Sequence, residues 1–98
     1  MRLELSRKAQ ADLDALRDHS VEHFGVVRAV AYLNAIEQTF RRVLSFPEIG
    51  SAHPTVQPVV RSLACQRHRI FYSVAGKTVM IVRILHEAMD AEQQLQGR

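Results

Sequence analysis

With 98 residues, 47% of them apolar, the chain is long enough for one compact domain and too short for two. Its single cysteine, Cys65, excludes an intramolecular disulfide and with it any need for an oxidising compartment, and no apolar run approaches the roughly 20 residues that span a bilayer. The net charge of +3 hides an uneven layout: no Asp or Glu lies between Glu48 and Glu87, while Arg61, Arg67, Arg69, Lys77 and Arg83 all do, so the C-terminal half is a positive field that calls for an acidic partner surface.

The first element is a strand, because Leu3 and Leu5 in "RLELS" alternate with charged neighbours. Ser6 stands where a helix N-cap belongs. Ala9, Leu13, Leu16 and Phe24 then mark one helical face, with Val21 beside it, and Gly25 is the residue able to close that helix in the left-handed conformation. A second helix follows at once on Ala29, Leu33, Ile36, Phe40 and Val43 or Leu44, and Pro47 ends it. So short a joint makes the pair an antiparallel hairpin that cannot bury both apolar stripes within itself. The segment "PEIGSAHPTVQP", which holds all three prolines, reads as an irregular crossing.

Beyond it, "PVVRSLA", "HRIFYSV" and "TVMIVRILH" are rich in β-branched and aromatic residues and carry no helical period, with "AGK" around Gly76 joining the last two as a hairpin. The expected order is β-α-α-β-β-β, a single α+β domain over 1–98. Its N-terminal strand and helical hairpin (about 7–46) pack on one face of a small, mainly antiparallel sheet whose C-terminal part runs from about 58 to 86, followed by a short tail, 87–98. The other sheet face is expected to be open. The N-terminus "MRLELSRKAQ" lacks the apolar core of a signal peptide, so a cytoplasmic location is expected.

Motifs for chemistry are sparse. His19 and His23 share a helix face in "HSVEH", but the glutamate is misplaced for HExxH and no third ligand is evident, so no metal is expected. Cys65 lacks an identifiable base or oxyanion site and reads as a small apolar residue. With no glycine-rich phosphate loop either, no cofactor is expected and no catalytic residue is assigned. On the last strand, Val79, Ile81, Arg83 and Leu85 form one row and Met80, Val82, Ile84 and His86 the other. An arginine in so apolar a row needs an edge, a carboxylate or a ligand. Either it pairs with a carboxylate of its own chain, such as Glu4 or Glu48, or it meets a partner.

In chain order, "LSRKAQADLDAL", "AYLNAIEQTFRRVLSFPEIG", "VRSLACQRHRIFYSV" and "VMIVRILHEAMD" resemble the ParE family of bacterial toxins in the RelE/ParE superfamily, over nearly the whole chain. The most specific pieces are "FPEIG", "VRSL", "HRIFY" and "RILHEAMD". The resemblance implies the toxin of a type II toxin-antitoxin system that inhibits DNA gyrase by binding, with no covalent reaction of its own. It also implies neutralisation in a hetero-oligomer by a ParD-like antitoxin whose disordered, acidic C-terminal segment folds along the toxin, which agrees with the acid-free basic span. The alternatives are a RelE-like ribosome-dependent mRNA endoribonuclease and an inactive toxin homologue. A nuclease needs a base, cations for the phosphate and an acid. The chain has only Lys8 and Lys77 and no tyrosine or lysine after His86, which departs from that branch, although Arg61, Arg69, Arg83, His68 and His86 keep it open. The expected antitoxin- or target-binding rim is Arg61, Arg69, Tyr72, Arg83 and His86, continued by Met89 and Asp90.

Overall fold

The structure, a computed structural model, describes residues 1–56, 59–89 and 91–96. In chain order the elements are β1 (Arg2–Leu5), α1 (Arg7–Ser45), β2 (Ser51–His53), β3 (Val60–Cys65), β4 (His68–Ala75), β5 (Thr78–His86) and α2 (Ala91–Gln96). Ser6 caps α1 as its position suggests: its hydroxyl accepts from the Ala9 N–H at 3.0 Å and donates to the Val82 carbonyl at 2.7 Å. At 39 residues a straight α1 would run about 58 Å, yet the longest dimension of the molecule is 37 Å. The chain folds back at Gly25, whose φ of +83° is open to glycine and strained for other residues. Two arms result, 7–24 and 26–45, and both face the sheet.

The sheet has five strands in the order β1-β5-β4-β3-β2, with β1 parallel to β5 and every other pair antiparallel. Two-residue turns join β3 to β4 at Gln66–Arg67 and β4 to β5 at Gly76–Lys77. One core lies between α1 and the sheet, where Ala9, Leu16, Ile36 and Val43 meet Ile70, Tyr72, Val79, Ile81 and Ile84. A second lies on the opposite face, where Leu95 of α2 and Val56 cover Val60, Phe71, Val82 and Leu85.

Four expectations are corrected. The stretch read as wholly irregular contains β2, which pairs Ser51, Ala52 and His53 with Ser62, Arg61 and Val60. The second sheet face is not open, because α2 in the tail supplies an apolar lid. The two rows of β5 exchange faces at a β-bulge: Tyr72 pairs with Ile81 but Phe71 pairs with Arg83, so Val82 is the extra residue. Hence Val79, Ile81 and Ile84 face α1, whereas Val82, Arg83 and Leu85 face α2. Finally, Val21 and Phe24 are not core. Around the Gly25 bend both stand outside the packed interface, with Phe24 55% exposed.

Tyr72 helps fasten the loop after α1. The hydroxyl of buried Tyr72 donates to the Pro47 carbonyl at 2.7 Å and accepts from the Gly50 N–H at 2.9 Å. This close approach requires glycine, since a Cβ on residue 50 would lie 2.7 Å from that hydroxyl and 2.8 Å from the Ser62 carbonyl. Gly50→Ala is therefore expected to cost about 1–3 kcal/mol, read as a lower urea midpoint at unchanged slope. A wild-type midpoint would show that the loop does not approach Tyr72 this closely.

Candidate functional site

Arg83 is engaged within its own chain, and its partner is Asp12 rather than Glu4 or Glu48. Nε and Nη2 donate to the two carboxylate oxygens at 2.8 and 2.9 Å, a side-on bidentate pair whose side chains are 12% and 16% exposed. The Asp12 hydrogen bond raises the already high guanidinium pKa further. Asp12 Oδ2 also accepts from the Ile84 N–H at 3.0 Å, and Arg83 Nη1 lies 3.5 Å from the Gln94 carbonyl of α2. This clasp stands where β1 has ended, so α1 satisfies the outer edge of β5 that no strand covers.

The remaining rim residues do not form one patch. Cross-strand partners share a face, so Arg61, paired with Tyr72, lies on the α1 side, as does His86, paired with His68. Arg69 and Arg83, opposite Leu85 and Phe71, lie on the α2 side. Arg61 and His86 are also at opposite ends of the sheet: from Tyr72 to His68 along β4 is roughly 13 Å. Tyr72 is fully buried. Arg61 is half-buried, its Nη1 donating to the carbonyls of Gly50 and Glu48 at 2.8 and 3.3 Å. Met89 is exposed, and Asp90 lies outside the described residues.

At the far end of the sheet three polar rings meet. The Tyr32 hydroxyl accepts from the Arg67 N–H at 3.1 Å and shares a hydrogen bond with His68 Nδ1 at 2.6 Å, the direction of which follows the imidazole tautomer. The His86 ring stands 5.2 Å from that of His68, edge to face. Burial, reinforced by His86, holds His68 below the usual histidine pKa, and burial pushes the Tyr32 phenol up. Elsewhere, His19 and His23 stack at 4.0 Å, and among the described residues no three His, Cys, Asp or Glu side chains converge on a metal-sized site. No helix among the described residues is long and apolar enough to cross a membrane.

The geometry thus presents half-buried arginines on both faces of a helix-backed sheet. A family model described as ParE toxin of type II toxin-antitoxin system, parDE, matches residues 3–91. This chain belongs to that ParE toxin family. It is 36% identical over 92 residues to Toxin ParE1 of Mycobacterium tuberculosis, covering 93% of this chain and 94% of the relative. Toxin ParE1 of Caulobacter vibrioides is 34% identical over 91 residues, with the same coverage. Among solved structures, one described as the chromosomal ParDE TA system from P. aeruginosa superposes with a TM-score of 0.74 at 32% identity, over 88% of this chain and 95% of that one. The protein is a ParE-family toxin of a type II toxin-antitoxin system, and its fold is that of the family.

Two structural elements of this ParE-family chain escape a reading by residue type alone. Asp12 carries a signal, because it sits three residues after Ala9 and four before Leu16 and so on the buried stripe of the first arm. Tyr32 and His68 carry none, being 36 residues apart on different elements. The cluster they form generates a pH dependence. His68 takes up a proton less readily folded than unfolded, so the unfolded chain binds more protons between the depressed folded pKa and the ordinary value near 6.5. Stability is therefore expected to be full above that ordinary value and to fall as the pH drops through it, levelling off below the folded pKa. Thermal melting from pH 7.5 to 5 checks this. His68→Asn should flatten that part of the profile, and an unchanged slope would assign the dependence elsewhere.

Proposed function

We propose that this ParE-family toxin acts by binding DNA gyrase, without a chemical step of its own, and is held inactive by a ParD-like antitoxin whose acidic C-terminal segment wraps the basic half of the chain. The observation that carries the reading is the contrast between arginines. Arg83 has its carboxylate in Asp12, whereas among the described residues no carboxylate pairs with Arg61 or Arg69. Half-buried cations with no acid of their own favour an acidic partner.

A segment that folds on binding can reach both faces of the sheet, which suits cations distributed as Arg61 and Arg69 are. In this reading Arg61, Arg69, His86 and Met89 meet the partner, and Tyr72 and Arg83 hold that surface in shape from within. The solved neighbour described as a ParDE toxin-antitoxin system supports a ParD-like partner. Both partners would act in the cytoplasm. The histidines available to a nuclease are turned toward one another and toward Tyr32, away from Arg69 and Arg83, which counts against mRNA cleavage.

The test is a supercoiling assay with purified gyrase, relaxed plasmid, ATP and a titration of the protein. Inhibition that accumulates cleaved DNA and is reversed by the antitoxin is the expected result. Undiminished supercoiling at large molar excess of folded protein would contradict it, and ribosome-dependent mRNA cleavage by the same sample would replace it.

A further inference from the structure

A cavity of about 590 Å³ opens on the α1 side of the sheet, where the C-terminal end of α1 meets the ends of β3 and β4. Its walls are Met1, Phe46, Ile49 and Val74, and Arg61 and Glu48 supply the charge. All four apolar side chains are exposed, Phe46 at 66%. The volume is that of an ordinary ligand site, and four large apolar residues around one hollow exceed the scattered exposure normal for a surface.

The cavity is also built in advance. Its loop wall is fixed by Tyr72, through Pro47 and Gly50, and by Arg61, through Glu48 and Gly50. Those bonds occupy the Nη1 atom of Arg61 and, among the described residues, leave Nη2 and Nε of its guanidinium, the pair of donors that grips a carboxylate side-on. Residues 49–86 contain no acid, and Glu48, which Arg61 meets through its backbone carbonyl, forms no ion pair with it among the described residues, so these two donors suit a carboxylate of another molecule.

We propose that this cavity receives an apolar anchor side chain of an acidic peptide segment, while a neighbouring carboxylate of the same segment pairs with Arg61. The inference rests on the reading that an acidic antitoxin segment wraps the toxin, and names where that segment is anchored. The apolar walls supply most of the affinity, because a large side chain leaves water there and the loop needs no ordering. Arg61 sets direction, since Glu48 on the rim repels an acid approaching from its own side.

The experiment measures the affinity of the full-length toxin for the antitoxin encoded with it, by titration calorimetry at low and high salt. Phe46→Ser, Arg61→Gln and, as a control outside the cavity, Lys77→Gln are compared, with urea midpoints to confirm folding. Phe46→Ser is expected to weaken binding by about tenfold or more at either salt concentration, as loss of an anchor does. Arg61→Gln should weaken it chiefly at low salt, and Lys77→Gln should stay within about twofold. Wild-type affinity in both folded cavity variants would overturn the inference and leave the antitoxin reading standing. Failure of the wild-type toxin to bind the antitoxin at all would overturn that reading. Concentration-dependent dimerisation of the toxin alone, abolished by Phe46→Ser, would assign the cavity to a second copy instead.

Discussion

The clasp between Asp12 and Arg83 is the interaction on which the rest of the architecture depends. β1 pairs with β5 only as far as Ile81, so the last five residues of the hydrophobic strand β5 have no strand beside them on that edge. An uncovered edge of that kind is both an unsatisfied ladder and an aggregation hazard. α1 closes it with side chains: Ser6 takes the Val82 carbonyl, and Asp12 takes the Ile84 N–H. Arg83, on the opposite face, reaches round the same edge to Asp12 and on to the Gln94 carbonyl, joining α1, β5 and α2. Removing one member of a buried pair strands the other at a cost of about 3–5 kcal/mol, and this part-buried pair lies at or below the low end of that range.

The bulge at Val82 is what makes this arrangement possible. Without it the residues of β5 would keep one alternation, and Arg83 would point into the core under α1 beside Val79 and Ile81. With it, Arg83 emerges on the α2 side at the edge where Asp12 waits. Arg61, on the far side of the sheet, has the opposite circumstances: two backbone carbonyls hold it, and among the described residues no carboxylate pairs with it. Two arginines in similar sequence settings thus divide into one that completes the fold and one that leaves charge available at a preformed hollow.

Much of the fold was legible because its signals are local. Ser6, Gly25 and Pro47 punctuate the helices through capping, positive φ and a missing donor, and the β-branched runs mark β3 to β5. Besides the three-residue β2, three features were not, each for a physical reason. The bulge depends on cross-strand register, which the sequence of β5 alone does not encode. α2 is too short for a helical period to show, yet Leu95 buries fully because the sheet offers Phe71 and Leu85. Phe24 satisfies the helical period and still faces solvent, because the bend at Gly25 carries it past the packed surface. For the site, residue type found the cations but not their circumstances: whether an arginine is satisfied depends on a carboxylate 71 residues away, as for Arg83.

The most direct test of this account is native-state hydrogen exchange on Asp12→Ala beside the wild-type chain. Protection is expected to fall selectively at the outer half of β5, residues 82–86, and at α2, while the β3–β4 ladder keeps wild-type protection relative to global stability. Protection that drops uniformly, or stays unchanged at β5 and α2, would contradict the claim that the clasp joins these elements.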